Sequence, residues 1–172
     1  MTTLTLSQII LPAFTKGLKT LDHILARAEQ HAASKGLDPN VEYPNARLID
    51  DMNPLIFQVQ NTTKAVRVTL SRILGQEFEA WTDDEKTVSD LHKRISLALK
   101  LVDGVDAKKI DERAAEIVEL PFAGQNLRLS ARDTALNQGL PNFFFHISIA
   151  YAILRSRGVP VGKADYLGSF LA

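Results

Sequence analysis

The apolar positions of this chain recur mostly in steps of three and four, the spacing of helices that bury one stripe. Leu6, Ile10, Ala13, Gly17, Leu21, Ile24 and Ala28 form the first stripe, widened by Phe14, Leu18 and Leu25. They predict a helix over 5–35, capped by Thr5 or Ser7, with Pro12 bending its early turns and Gly36 as its stop. Met52, Leu55, Val59, Val66, Leu70 and Ile73 predict a second helix, from Asp50 or Asp51 to Leu74, ended by Gly75. A third follows from Thr87, which forms a capping pattern with Asp90, through Val88, Leu91, Ile95 and Ala98 to Val102. A fourth runs from the Ser130 cap to Arg157, bent near Gly139 and Pro141 and closed by Gly158.

Between the third and fourth helices the period changes. Ile117, Val118, Leu120 and Phe122, then Leu127 and Leu129, lie on either side of Ala123-Gly124-Gln125-Asn126. Short apolar alternation around a glycine turn predicts a small β-hairpin. Residues 37–50, with Pro39, Asn40, Pro44 and Asn45, read as a loop. Residues 158–168 combine turn formers with Val159, Val161, Tyr166 and Leu167, and read as an ordered arm folded over one end.

Two places depart from a plain amphipathic pattern. Residues 141–155 are hydrophobic on nearly every side and predict a helix enclosed by other helices. The second helix is interrupted midway by Gln58, Asn61, Thr62 and Thr63. Such threonines commonly bond back to their own helix; the other reading is a polar patch lining a cavity.

A chain of 172 residues suits one domain, 1–172, with a proper core. Twenty basic and twenty acidic side chains cancel, which removes the electrostatic argument for a nucleic acid or an anionic membrane as partner. The chain has no apolar run long enough for a membrane helix, and Met1–Leu6 lacks the basic start and apolar core of a signal peptide. Zero cysteines exclude disulfides, thiolate nucleophiles and thiolate metal sites, and fit a cytoplasmic location. Near-neutral charge with abundant apolar residues favours self-association, so a homodimer is expected.

The candidate chemistry centres on His146. On a helical period it shares a face with Asn142, Phe143, Ile149, Ala150 and Ile153, and Asn142, one turn earlier, is placed to fix its tautomer. Tyr151 falls on the neighbouring face with Phe144, Ile147 and Leu154. Two readings stand: His146 and Tyr151 are satisfied core polar groups, or they line a pocket and do acid–base work. In the second, Asn142, Gln58, Asn61 and Thr62 are the ligand-binding residues. No second histidine lies one turn from His146, and His23, His31 and His92 read as surface or boundary residues, so no metal site and no cofactor is expected. Neither a phosphate-binding glycine loop nor a G-x-S-x-G elbow is present.

Phe143-Phe144-Phe145-His146, Ala150-Tyr151-Ala152-Ile153-Leu154-Arg155, Gly158-Val159-Pro160-Val161-Gly162-Lys163 and Asp165-Tyr166-Leu167-Gly168 together resemble the signature of the family called domain of unknown function 1993. Asp51-Met52-x-Pro54-Leu55-x-Phe57-Gln58, and Asp84-Glu85-Lys86-Thr87 before Leu91, extend the likeness over essentially the whole chain. That family is similar to the DinB/YfiT-like group of metal-dependent enzymes. The resemblance implies an all-α, four-helix up-down-down-up bundle, with the hairpin between helices 3 and 4, and frequent dimers. It also implies three histidine ligands, one from the second helix and two spaced four apart on the last. Only His146 matches; the second helix offers Gln58, Asn61 and Thr62, and the partner position is Ala150. Three functions follow as expectations: a pocket for a small apolar molecule with metal-free acid–base chemistry, a non-catalytic dimeric scaffold, or a DinB-like metal enzyme with a degenerate site.

Overall fold

The computed structural model describes residues 4–172. The leader expectation on Met1–Leu6 falls partly on residues 1–3, outside the described ones. The elements are α1 (Leu6–Lys35), α2 (Pro39–Glu42), α3 (Leu55–Leu74), α4 (Val88–Gly104), α5 (Ala107–Glu112), β1 (Ile117–Phe122), β2 (Gln125–Ser130), α6 (Ala131–Thr134), a π turn (Ala135–Gly139), α7 (Leu140–Ser156) and α8 (Lys163–Leu171). The protein is thus mostly helical, with one antiparallel hairpin between its third and fourth long helices.

Three of the expected N-caps are present. Thr5 accepts from the Gln8 amide and opens α1; Thr87 and Asp90 reciprocate as a capping box on α4; the Ser130 hydroxyl accepts from the Asp133 amide at 2.9 Å. The second long helix starts later than expected. Asp50 and Asp51 do not cap it; α3 begins at Leu55 behind Pro54, because a residue before proline is driven out of the helical region and Asn53 holds that place. The loop reading of 37–50 also needs correcting: it contains α2, whose start is capped by Asp38, and Tyr43, Pro44 and Ala46 are buried.

The hairpin pairs Phe122 with Gln125, so its turn is the two residues Ala123 and Gly124, and Gln125 and Asn126 already belong to β2. Both turn residues have positive φ, 48° and 78°, matching the right-handed twist of the flanking strands. Helix α5, just before the hairpin, was not foreseen. It is a single short segment capped by Asp106, with only Ile110 buried, too little periodicity to register as a stripe.

The core lies among α1, α3, α4 and α7. α1 packs on α4 and α7, and α3 packs on the same two. The arm expected over one end runs instead along the side of α1 as α8, with Lys16, Thr20 and His23 bonded to Phe170, Tyr166 and Asp165. Phe14 of α1 and Phe143 of α7 meet edge to face at 5.0 Å between centroids, both fully buried. The expected enclosure of residues 141–155 is only half realised. Phe143, Ile147, Ala150, Ile153 and Leu154 are buried, but Ser148 is exposed and Phe145 is 55% exposed. The helix is apolar all round, yet neighbours cover one side of it. No helix among the described residues is long and apolar enough to cross a membrane.

Candidate site at the α3–α7 seam

His146 stands half-buried on α7 and faces α3. Its Nδ1 lies 2.8 Å from Gln58 Oε1, and Gln58 Nε2 donates to the Asn53 carbonyl at 3.0 Å. That second bond decides the first. A carbonyl can only accept, so the Gln58 nitrogen must point at Asn53 and its oxygen at the imidazole. The imidazole must then donate from Nδ1, which leaves the lone pair of the neutral ring on Nε2. Burial pushes the His146 pKa below its ordinary value, so the ring is neutral at pH 7. Phe57 and Phe145 present their rings edge-on at 6.1 and 5.3 Å, apolar walls that favour the neutral form. Asn142, the residue expected to fix the tautomer, makes no such bond: it lines a groove with Asn61 of α3, and Gln58 comes across the seam to the imidazole instead.

Asn142 meets α3 at its own level, with Asn61. Both line an open groove of about 150 Å³ together with Lys64, Thr69, Arg72 and Gln138. The π turn builds one wall. Its last residue, Gly139, sits so close to Thr69 that a Cβ there would lie 2.6 Å from the threonine hydroxyl. The π turn places Gln138 at the groove, and Gly139, without a Cβ, lets its backbone lie against the Thr69 side chain.

The structure brings His146 and Gln58 together at one level and Asn61 and Asn142 at the next. Thr62 donates to the Gln58 carbonyl of its own helix at 2.8 Å and is fully buried, which closes it off from a ligand. Thr63 likewise bonds to its own helix and accepts from Arg94. Tyr151 turns to the arm: its ring meets Tyr166 of α8 edge-on at 5.9 Å, and its hydroxyl lies 3.4 Å from the Val161 carbonyl. It does not join His146. Sequence reasoning missed Lys64, Thr69, Arg72 and Gln138. A signal existed, since Asn61, Lys64, Val68 and Arg72 recur at helical spacing as a mostly polar stripe, but their partners across the seam did not show in it.

The family model described as Domain of unknown function (DUF1993) matches residues 6–167. The chain belongs to this family. A solved structure of a DinB family member protein from Shewanella denitrificans is similar to this DUF1993 chain over 95% of its length and 92% of that protein's, with a TM-score of 0.86 and 35% identity. No curated protein matches it. The DinB likeness raises the question of a metal. Among the described residues, no three His, Cys, Asp or Glu side chains come together as a metal ion would need. His146 faces a neutral amide, and the residue one turn on is Ala150, so this donor set does not fit a divalent ion.

Proposed function

We propose that this DUF1993 protein binds a small, mostly apolar molecule at the α3–α7 seam, with His146 Nε2 as a metal-free proton acceptor. The observation that carries this is the relay from His146 through Gln58 to the Asn53 carbonyl, which leaves a lone pair on a neutral, partly accessible imidazole flanked by two phenylalanines. Gln58 is the positioning residue, and Tyr151 serves the arm rather than the chemistry.

The scaffold for this reading is one domain, 1–172, folded as an up-down-down-up bundle. Cross-seam pairs support that order: Gln58 with His146 and Thr69 with Gly139 run antiparallel, while Phe14 with Phe143 and His31 beside Gly158 run parallel.

The test is nitrogen-detected NMR of the imidazole during a screen of weakly acidic small molecules. The expected result is an Nδ1-protonated tautomer with a pKa below 6.5 and at least one compound that shifts Nε2 selectively. Gln58→Glu should raise that pKa, since a carboxylate would then face Nδ1. An Nε2-protonated ring, or Nε2 unmoved by every compound, would remove the proposal.

A second reading, a non-catalytic homodimer, is supported by exposed apolar side chains at Phe145 (55%), Ile117 (58%) and Phe122 (60%). Light scattering at micromolar concentration decides it; a monomer rejects it.

A further inference from the structure

We propose that the groove between α3, the π turn and α7 binds the oxyanion head group, carboxylate or phosphate, of a small molecule, held by Arg72 and Lys64 with Gln138 and Asn142 as neutral donors. This is independent of whether His146 acts as a base.

The sign of the lining comes first. Acidic and basic residues are equal in number over the whole chain, yet this groove has two cations, three side-chain amides and a hydroxyl, and no carboxylate. Such a surface answers an anion.

The second point is that the arginine is unanswered. Arg72 is half-buried, and burial lowers its pKa, so its charge is partly stripped of water. The other arginines that are not fully exposed each have a protein acceptor. Arg94 has Asp83 and Glu85, Arg113 has Glu116, Arg27 has Asp165, and Arg67 has the Phe78 carbonyl. Among the described residues Arg72 has neither an ion pair nor a side-chain hydrogen bond, and the same holds for Lys64, Gln138 and Asn142. A partly desolvated guanidinium beside two amides without partners is a set of donors awaiting an acceptor.

Size and position narrow the ligand. About 150 Å³ holds a head group but not a whole drug-sized molecule, which needs roughly 300 Å³ or more. The rest of the molecule would extend along the seam. One turn further along α7, about 5.4 Å, lies the level of His146. The π turn and the Gly139–Thr69 contact fix the far wall, so the donors need little reorganisation to bind.

The experiment is an NMR titration of the full chain with inorganic phosphate in one arm and with acetate and succinate in another, at constant ionic strength. The expected result is saturable shifts of the Gln138 and Asn142 side-chain amides in at least one arm; the arm that saturates at lower concentration names the head group. Arg72→Gln should weaken that binding roughly tenfold, the loss of one charge-assisted interaction of ~1.4 kcal/mol. Lys64→Gln, at an exposed position, should weaken it less and leave the fold intact, which guards against an Arg72 variant that unfolds. The proposal is overturned if neither arm saturates, if shifts spread evenly over exposed lysines such as Lys108 and Lys163, or if folded Arg72→Gln binds as tightly as the parent.

Discussion

Replacing Arg94 by methionine should be among the most damaging single changes outside the apolar core. Its side chain is only 3% exposed and lies between α4 and the segment leading into it. Nε donates to Thr63 Oγ1 at 3.0 Å, one terminal nitrogen to the Thr82 carbonyl and Glu85 Oε1 at 2.8 Å each, and the other to Asp83 Oδ1 at 2.8 Å. The guanidinium also lies 5.1 Å from the Trp81 ring centroid. Methionine keeps the stem's packing and deletes every one of these bonds. What remains is worse than what is lost, because the Glu85 carboxyl is only 9% exposed and, among the described residues, would be left with Gln60 as its donor. Breaking a buried pair from one side costs about 3–5 kcal/mol. For a chain of this size that lowers the melting temperature by roughly 6–20 °C. Asp83, half-exposed, contributes little, since surface pairs add at most about 1 kcal/mol. The assay is urea unfolding followed through Trp81, the chain's single tryptophan and a direct reporter of this cluster. Adding Glu85→Gln to Arg94→Met removes the stranded charge and should recover about 1–3 kcal/mol relative to additivity. A loss under ~1 kcal/mol for Arg94→Met, in the range of an exposed pair such as Lys108–Glu112, would refute the reasoning.

Three further outcomes follow from the geometry. Gly17→Ala should destabilise by about 1–2 kcal/mol, because its Cβ would lie 2.4 Å from Phe143 Cε1 and overpacking outweighs the ~1 kcal/mol gained in helix propensity; a more stable variant in thermal unfolding would show that the ring yields freely. His92 contacts Asp22 with Nδ1 at 2.5 Å and Glu29 with Nε2 at 3.2 Å, and the hydrogen bond to Asp22 chiefly raises its pKa. With the folded pKa raised, the stability it contributes is fully present below about pH 6.5 and lost as pH rises through the folded value, so His92→Gln should be less stable than the parent at pH 5.5 and nearly equal at pH 9; a pH-independent difference would contradict this. Asp165 accepts from the Gly162 amide and from His23 and lies beside Arg27, so Asp165→Ala should free α8 from α1 at a cost of about 1–2 kcal/mol; unchanged hydrogen exchange across residues 163–171 would count against it.

The reading of His146 shows where sequence inference ran out. Its presence among apolar neighbours, and the polar interruption at Gln58 and Asn61, were visible as patterns along two separate helices. That Gln58 rather than Asn142 holds the ring was not, because the choice depends on which residues of α3 and α7 stand level across the seam. Tyr151 looked like a companion of His146, yet it lies five residues on, about 140° around the helix, and α8 occupies that side. Arg72 and Gln138 were invisible as a pair for the same reason: no local signal links them.

What the sequence alone determined is the set of long helices and the hairpin, with the Thr5, Thr87 and Ser130 caps, and that residues 158–168 are ordered. Those features depend on interactions within a few residues, so the residues that cause them are neighbours in the chain. The tertiary structure alone decided how far α7 is enclosed, which polar groups meet at the α3–α7 seam, and that a half-buried arginine there has no acceptor among the described residues. These depend on how one helix is turned and shifted against another. That alignment is set by the summed packing of distant side chains, such as Phe14 on Phe143 and Thr69 on Gly139, and no single stretch encodes it.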